Sequence, residues 1–336
     1  MSNWYLESGK DSDIIISTCA KISRNINGYK FENKMSEVEK KELLNKVVKS
    51  ISNLEYNLNL LKMGPLDSIS KNALVEKGII TKDYLKGDLD NKAILLNEDE
   101  NIAIVLNGTE HILIEVFSSG EEIKNVTNLA LEIDRKIESV MPYAYSEKYG
   151  FLTSNVYKLG TGLNLYVSAH MPGLVHTGNI DKMLTIINKF NMSIENLDSK
   201  TSDIYTIYNN QTLGISEKEI EDCMKEIVDK IIKNEKMARN FLGKDRIDLE
   251  NNIYRAFGTL KYAKILRYDE AQTLISDVKM GTDMGIISEL DDKKVMKLLY
   301  YTKPNIIQKY HNKPMTIKEL SIKRCEMIND ILEEKI

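Results

Sequence analysis

Cysteine, proline and tryptophan are scarce in this chain of 336 residues, which contains 3, 5 and 1 of them respectively. The cysteines Cys19, Cys223 and Cys325 are far apart and form no CxxC pair, and the 4 histidines are equally scattered. Such isolated residues argue against a disulfide framework and against a zinc site with closely spaced ligands. We therefore expect a metal-free protein of a reducing compartment.

The chain also lacks a strong charge excess and a long apolar run. Its formal net charge is -4, so the bulk charge favours neither nucleic acid nor an anionic membrane as a partner. The longest apolar runs, such as residues 102–106, have the length of a strand and are too short to span a bilayer. No basic segment followed by an apolar stretch opens the sequence, which predicts the absence of a secretory signal. We expect a cytoplasmic protein with no direct nucleic-acid or membrane partner.

Two regions of different periodicity divide the sequence. Up to residue 214, strand-length apolar runs alternate with helical patterns, including a helix over 36–62 and strands over 93–117. From Ser216 onward only helical patterns follow, over residues 216–241, 248–256, 269–278, 289–301 and 316–333. The apolar stripe from Ile220 to Ile232 indicates a core or dimer seam rather than a ligand site. We predict an α+β domain over residues 1–214 and an all-helical domain over 215–336.

Residues 107–114 read NGTEHILI and resemble the Asn-Glu-Glu-Asp-His-Ile-Arg-Ile block of ATP:guanido phosphotransferases. Further similar blocks follow the family's order, at residues 17–25, 143–154, 160–163, 210–214, 254–258 and 276–281. The whole chain is similar to the bacterial protein-arginine kinases of this family, whose helical tail separates them from small-molecule phosphagen kinases. The resemblance implies an antiparallel sheet flanked by helices, followed by a helical dimerisation domain.

In this family, arginines from separate strands surround the ATP phosphates, because a guanidinium is permanently charged and binds phosphate through two hydrogen bonds. The resemblance assigns these arginine positions to Cys19, Lys21, Leu113, Asn164 and Glu195. Only Lys21 keeps a positive charge. We therefore expect a vestigial nucleotide cleft.

The family's catalytic base is also replaced. The second Glu of the family block, which orients and deprotonates the guanidinium, corresponds to Thr109, and the first corresponds to Gly108. A threonine hydroxyl is no base near neutral pH. The family's reactive cysteine corresponds to Asn155, and its glycine-rich lid to a shorter, glycine-free loop over 196–203. No catalytic residue is expected to be intact.

A second family site, which reads phosphoarginine in the helical domain, has changed as well. The family's Arg-Asp-x-Arg-Arg-Ala pattern aligns with residues 320–325, where Leu320 and Ser321 replace the opening Arg and Asp. Two basic residues remain, Lys323 and Arg324. Phosphoarginine binding is therefore not expected.

Several residues could still contact a cleft ligand: Lys21, Arg24, Glu110, His111, Gly160, Thr161 and Gly162. Each also has a structural interpretation. Glu110 and His111 fit hydrogen bonds at a strand turn, and we favour that role. Gly160 and Gly162 fit a tight turn that needs positive φ as well as a phosphate-binding loop.

These substitutions favour a catalytically inactive kinase homologue, which needs no cofactor. It would act as an adaptor or regulator in bacterial stress response and protein quality control, as a homodimer. The resemblance implies a zinc-binding activator protein, a heat-shock repressor and a Clp ATPase as partners. The alternative is an active Mg-ATP-dependent protein-arginine kinase with a site rebuilt around Lys21 and Lys158. A third hypothesis is a phosphoarginine-binding module without kinase activity.

Overall fold

The structure is a computed structural model that describes residues 3–51, 54–196 and 202–336. Its strands are β1 Ile15–Arg24, β2 Asn59–Lys62, β3 Ala93–Leu96, β4 Ile102–Leu106, β5 Ile112–Ser119, β6 Tyr145–Ser146, β7 Gly150–Phe151, β8 Leu163–His170, β9 Met192–Asn196 and β10 Ile204–Asn209. Its α-helices are α1 Glu37–Ile51, α2 Ser68–Glu76, α3 Ile123–Val140, α4 Pro172–His176, α5 Ile180–Lys189, α6 Glu217–Leu242, α7 Arg246–Tyr262, α8 Tyr268–Asp283, α9 Asp292–Tyr301, α10 Pro304–Tyr310 and α11 Ile317–Leu332.

Eight strands form one antiparallel sheet in the order β2-β3-β4-β5-β1-β8-β10-β9. The middle of the sheet is covered on both faces, and every residue of β4 is buried. This explains why β4 reads as a continuous apolar run instead of alternating with polar residues. β6 and β7 form a separate two-stranded hairpin. The predicted strands over 93–117 are confirmed.

The two faces of the sheet contribute to different cores. One face packs against α1, α3, α5 and α6, and its central residues include Ala20, Ile22 and Leu165. The opposite face carries Cys19 and Phe117 and packs against the N-terminal residues and the segment between β2 and β3. Because successive side chains of a strand point to opposite faces, β1 supplies apolar residues to both cores.

The chain beyond α6 packs around a separate core, to which Ile16 of β1 and Ile204 of β10 also contribute. Buried residues of α7, α8, α9 and α11 form this core, with Ile253, Ile275 and Ile328 fully enclosed. Helix α6 belongs to the sheet core, because its stripe from Ile220 to Ile232 is buried there. The stripe is therefore core. The division of the chain at 214/215 into two domains stays a prediction.

One of the predicted helices needs correction. The helix predicted over 36–62 ends at Ile51, and residues 59–62 form β2, which pairs with β3. Asn57 adopts a left-handed conformation with φ +50°, which no helix continues. Helix α10, opened by Pro304, was not predicted. None of the helices in the described ranges is both long and apolar enough to cross a membrane.

Candidate functional site

One face of the sheet carries the positions at which the resemblance places phosphate-binding arginines. Lys21 of β1 lies opposite Glu115 of β5 and Asn164 of β8. Side chains two residues apart along a strand share a face, and the pairing of β10 with β8 and β9 extends that face to the sheet edge. We call this surface the cleft face. It brings together Cys19, Lys21, Leu113, Asn164 and Glu195.

The one remaining cation among these positions is held by a carboxylate. The Lys21 ammonium lies 2.5 Å from Glu115 Oε1, and the rings of Tyr166 and Phe117 flank it at 5.3 and 5.8 Å. Burial works to lower the pKa of Lys21, but the charge of Glu115, the nearby Cys19 and Tyr166 and the hydrogen bond to Glu115 together outweigh it and raise that pKa. Burial also raises the pKa of the Glu115 carboxyl against the opposing effect of Lys21. The positive charge of Lys21 is therefore balanced by a carboxylate of the same protein.

The other four positions offer no cation. Burial raises the pKa of the Cys19 thiol far above neutral pH, so it stays protonated. Leu113 packs partly buried in the apolar cluster of the cleft face. The Asn164 amide donates to the Asn209 carbonyl at 3.2 Å, and Glu195 accepts from the Tyr208 hydroxyl at 2.7 Å. Residues 197–201, where a shortened lid is predicted, lie outside the described residues.

Glu110 is used to fix the backbone of a neighbouring loop. Its Oε2 accepts from the Asn25 side chain at 2.5 Å and from the Ser154 N–H at 2.8 Å, and its Oε1 accepts from the Asn155 N–H at 3.1 Å. The residue is 3% exposed. Although Glu110 lines the cleft, both of its oxygens are already occupied. Asn155 in turn accepts from the Tyr157 N–H at 3.0 Å.

His111 has a comparable structural role. Its Nδ1 accepts from the Ile26 N–H at 3.0 Å, and its Nε2 lies 2.8 Å from the Lys30 carbonyl. A carbonyl can only accept, so the ring is the neutral Nε2–H tautomer. Burial lowers the pKa of His111, which favours the same neutral form.

Thr109, at the position of the family's catalytic base, lies at the rim of the cleft and provides no basic group. Thr109 is exposed and, like Gly108, lines the cavity. A Cβ at Gly108 would lie 3.3 Å from the Tyr84 ring, so this turn is closely packed against the segment after α2.

Arg24 lies on the opposite face of the sheet. It is 1% exposed, and its guanidinium binds Asp134 of α3 at 2.7 Å and the Thr161 carbonyl at 2.8 Å. It also stacks on the Phe151 ring at 3.6 Å. A Cβ at Gly162, where φ is +63°, would lie 2.6 Å from this guanidinium.

The backbone of the Gly-Thr-Gly turn is engaged within the protein. The Thr161 N–H donates to the Thr212 carbonyl at 3.0 Å, and the Gly160 N–H donates to the Phe151 carbonyl at 3.3 Å. At Gly160, where φ is +96°, a Cβ would lie 2.3 Å from the Thr212 carbonyl oxygen. The geometry therefore describes a tight, closely packed turn rather than a phosphate-binding loop.

A cavity of about 490 Å³ opens over the cleft face. Its lining includes Lys21, Leu113, Tyr166, Ser154 and Lys158. The lining carries equal numbers of positive and negative side chains. It contains the four lysines Lys21, Lys86, Lys92 and Lys158 and the four acidic residues Glu32, Asp83, Glu110 and Glu115. A site for nucleotide phosphates would need a clear excess of cations.

The predicted phosphoarginine positions lie on α11. Arg324 is 2% exposed and donates to the carbonyls of Thr302 and Leu266 at 2.9 and 2.8 Å. Burial lowers its pKa. Lys323 pairs with Glu326 at 2.5 Å. Both basic residues of the pattern thus have partners within the protein.

Sequence reasoning missed two residues of the cleft face and one of the loop beside it. They are Glu115, Tyr166 and Ser154. A signal for Glu115 existed, because it lies two residues after Leu113 in a strand and must share its face. Ser154 had no such signal, since only the fold brings its loop to the cavity. No group of His, Cys, Asp and Glu suited to a metal ion occurs within residues 3–51, 54–196 and 202–336.

Comparison with protein families agrees with this geometry. The model described as "ATP:guanido phosphotransferase, C-terminal catalytic domain" matches residues 38–238. The model described as "Protein-arginine kinase McsB C-terminal domain" matches residues 246–335. The antiparallel sheet brings the five positions of the family's phosphate-binding arginines to one face. Together with these matches, this shows that the chain belongs to the ATP:guanido phosphotransferase family.

Within this family, the chain groups with the protein-arginine kinases. A protein-arginine kinase of Halothermothrix orenii is 33% identical over 334 residues, which cover 98% of this chain and 95% of the relative. One from Bacillus cereus strain AH187 is 33% identical over 345 residues, with 99% and 96% covered. The predicted family is confirmed.

Solved structures share the fold. Lombricine kinase superimposes with a TM-score of 0.59 at 17% identity, covering 68% of both chains. The substrate-free duplicated taurocyamine kinase from Schistosoma mansoni gives 0.62 at 17%, covering 94% of this chain and 51% of that one. The same kinase with bound transition-state-analogue components gives 0.58 at 21%, covering 67% and 33%. This chain therefore spans a third to a half of the duplicated kinase, and the likeness confirms the predicted fold.

Proposed function

We propose that this chain is a non-catalytic member of the protein-arginine kinase family that acts by binding. The observation that carries the proposal is the cleft face, where the five arginine positions hold Cys19, Lys21, Leu113, Asn164 and Glu195. The one cation among them is paired with Glu115 at 2.5 Å.

The magnitude of the expected loss supports this proposal. Phosphoryl transfer depends on positioning and on cations around the phosphates. A hydrogen bond to a charged group contributes about 1.5–3 kcal/mol, and one arginine on a transferring phosphoryl group contributes about 10³–10⁵ in rate. Four positions carry neutral or acidic replacements, and the lysine at the fifth is paired with a carboxylate. Together these changes remove more stabilisation of the phosphoryl-transfer transition state than the remaining groups can supply, even when the effects are far from additive.

The absence of a catalytic base also supports the proposal of a non-catalytic protein. Thr109 cannot accept the guanidinium proton near neutral pH. The adjacent carboxylate, Glu110, accepts hydrogen bonds from Asn25, Ser154 and Asn155. Three of its roughly four lone-pair sites are thus engaged, and a proton taken up by Glu110 would weaken the bonds that hold this loop.

We assign the chain a role as an adaptor or regulator in bacterial stress response and protein quality control, in the cytoplasm and as a homodimer. The first partners to test are a zinc-binding activator protein, a heat-shock repressor and a Clp ATPase. Such a role requires no Mg-ATP.

An active protein-arginine kinase is the second candidate, and the name of the curated relatives at 33% identity favours it. It would depend on Lys21 and Lys158, which both line the cavity. The pairing of Lys21 with Glu115 leaves Lys158 to bind the phosphates, and a single lysine is a weak substitute for a cage of guanidinium groups.

The test is phosphoryl transfer from labelled Mg-ATP to an arginine-rich protein, with the purified chain alone and with its activator. The Halothermothrix orenii relative serves as the comparison enzyme. We expect no acid-labile phosphate on arginine above background from a folded sample. Labelled arginine above background, lost in the Lys158→Met variant, would contradict the proposal and support the second candidate.

A further inference from the structure

The charged groups of the cavity are almost all used within the protein. Lys21 pairs with Glu115 at 2.5 Å, and Lys86 pairs with Asp83 at 2.6 Å. Lys92 donates to two backbone carbonyls, those of Tyr84 and Lys86, at 2.9 and 2.7 Å. Three of the four lysines therefore have partners.

The remaining carboxylates of the lining are also satisfied. Glu32 pairs with Lys40 at 2.9 Å, and Glu110 accepts from the Asn25 side chain and from two backbone N–H groups. Glu115 binds Lys21 through Oε1, and its buried Oε2 has no hydrogen-bond partner. Within the described residues, however, none of these carboxylates forms an ion pair with the fourth lysine, Lys158.

Lys158 is therefore the exception. In the part of the chain that the structure describes, its ammonium group has no ion pair and no hydrogen bond, although the residue lines the cavity. Burial lowers its pKa, and the nearby charges of Glu110 and Lys21 act in opposite directions on it. A half-buried ammonium without a partner is a ready contact for one negative group.

A second unpartnered donor lies in the same stretch of chain. The Ser154 hydroxyl oxygen is buried and has no hydrogen-bond partner, and Ser154 lines the cavity together with Lys158. A buried hydroxyl without a partner costs about 1–3 kcal/mol, so a ligand that accepts from it gains free energy. The N–H of Ser154 is fixed by Glu110 at 2.8 Å, which holds this wall in place.

The rest of the lining favours an apolar body. Leu113 occupies the position of a family arginine, and Val105, Ile79 and Tyr166 line the same cavity. A volume of about 490 Å³ lies in the range of small-molecule sites. An apolar surface in place of a guanidinium excludes a polyphosphate and accommodates hydrocarbon.

We propose that the cavity binds a small monocarboxylate, whose carboxylate accepts from Lys158 and Ser154 and whose apolar body lies on Leu113 and Tyr166. One free cation in a balanced cavity suits one negative charge, whereas a nucleotide brings several. This inference rests on the proposed function, because a cleft that does not hold nucleotide is available to another ligand.

The experiment is calorimetric titration of the full chain with hexanoate, phenylacetate and cyclohexanecarboxylate at millimolar concentration. Hexan-1-ol, 2-phenylethanol and cyclohexylmethanol are the matched probes without charge. We expect at least one carboxylate to bind, and the best one to bind about tenfold or more tightly than its alcohol. Failure of all three acids, or equal binding of acid and alcohol, would overturn the proposal.

Variants locate the site. Lys158→Met should weaken carboxylate binding by about 10- to 100-fold, and Ser154→Ala by about 2- to 10-fold. Lys148→Met removes an exposed lysine outside the lining and should leave binding unchanged. Equal melting temperatures show that the variants are folded. A Lys158→Met chain that binds the acids as well as the original chain does would refute the assignment of the site.

The outcomes separate this inference from the proposed function. Carboxylate binding together with arginine phosphorylation would refute only the non-catalytic role. No carboxylate binding together with no phosphorylation would refute only the ligand class.

Discussion

Lys21 and Glu115 lie directly opposite one another on β1 and β5, and their charged groups approach to 2.5 Å. The ammonium at a position where the resemblance implies a phosphate-binding arginine is thus turned toward a carboxylate of the same protein. The Lys21 side chain is 20% exposed and the Glu115 side chain 1% exposed, so both have lost most of their contact with water. The stability of this pair can be tested directly.

We expect Glu115→Gln to destabilise the fold by about 2–4 kcal/mol, because it leaves the Lys21 charge buried without a partner. The double variant Lys21→Met/Glu115→Leu should recover most of that loss, since an apolar pair can replace a buried ion pair at little net cost. Urea unfolding of the single and double variants measures both values. A double variant that is no more stable than Glu115→Gln would show that the pair is not the source of the effect.

A second prediction concerns the Gly-Thr-Gly turn. Gly162→Ala should destabilise the fold by about 2–4 kcal/mol, because φ is +63° and the new Cβ would lie 2.6 Å from the Arg24 guanidinium. Gly28→Ala is the matched control, since its φ is +83° but nothing lies within 4 Å of the added carbon. The control should cost only about 1–2 kcal/mol. The Ser23 carbonyl oxygen would lie 2.7 Å from the same Cβ, so equal losses in thermal unfolding would show that neither close contact contributes.

Stability should fall as the pH drops below about 6.5. Burial lowers the pKa of His170 well below its usual value, and the neighbouring charges of Lys279, Arg239 and His176 act in the same direction. The unfolded chain then binds a proton that the folded chain does not, so stability is lost as the pH falls toward the folded pKa. The loss is at most about 1.4 kcal/mol per pH unit for this residue.

His170→Gln should make that pH dependence shallower between about pH 6.5 and 5, as measured by urea unfolding. His111, whose pKa burial also lowers, contributes in the same direction and remains in the variant. His176 acts in the opposite direction, because its contact with the Asp277 carboxylate at 3.6 Å raises its pKa, so its contribution to stability is lost as the pH rises through that raised pKa. An unchanged slope in His170→Gln would contradict the burial of a neutral imidazole.

A fourth prediction concerns nucleotide affinity. Leu113→Arg places a guanidinium on the cleft face beside Lys21, and it should tighten Mg-ATP binding by about tenfold or more. The one tryptophan, Trp4, stacks on Phe117 of this face at 5.5 Å, so its fluorescence can report the binding. Leu60→Arg, at an exposed residue of β2, adds the same charge elsewhere and should have no such effect. If both variants bind equally, the gain comes from net charge and not from the cleft.

Much of the fold followed from the sequence because many of its signals are local. The capping box at Ser216 and Glu219 marks the start of α6, and a strand-length apolar run marks β4. Strand β2 was missed because Leu54, Leu58 and Leu61 have helical spacing, while its true partner, β3, lies more than 30 residues away. Pairing with a distant strand outweighed the local pattern.

The sequence predicted where the residues of the candidate site lie better than it predicted which groups they contact. The resemblance located Lys21 and Leu113, and the strands bring them to one face. The same reasoning offered Arg24 as a cleft contact, whereas the fold turns it to the opposite side, against Asp134 of α3. Which groups satisfy one another depends on contacts between distant segments, and no spacing within the sequence contains that information.

The clamp that Glu110 forms on the N–H groups of Ser154 and Asn155 has one more consequence. The wall that carries Ser154 and Lys158 is pre-organised, because its backbone is anchored to the turn between β4 and β5 before any ligand arrives. The conformational entropy needed to shape that wall is lost during folding and not at the moment of association. A ligand of the cavity should therefore bind a rigid receptor, with little change in the hydrogen exchange of the backbone around it.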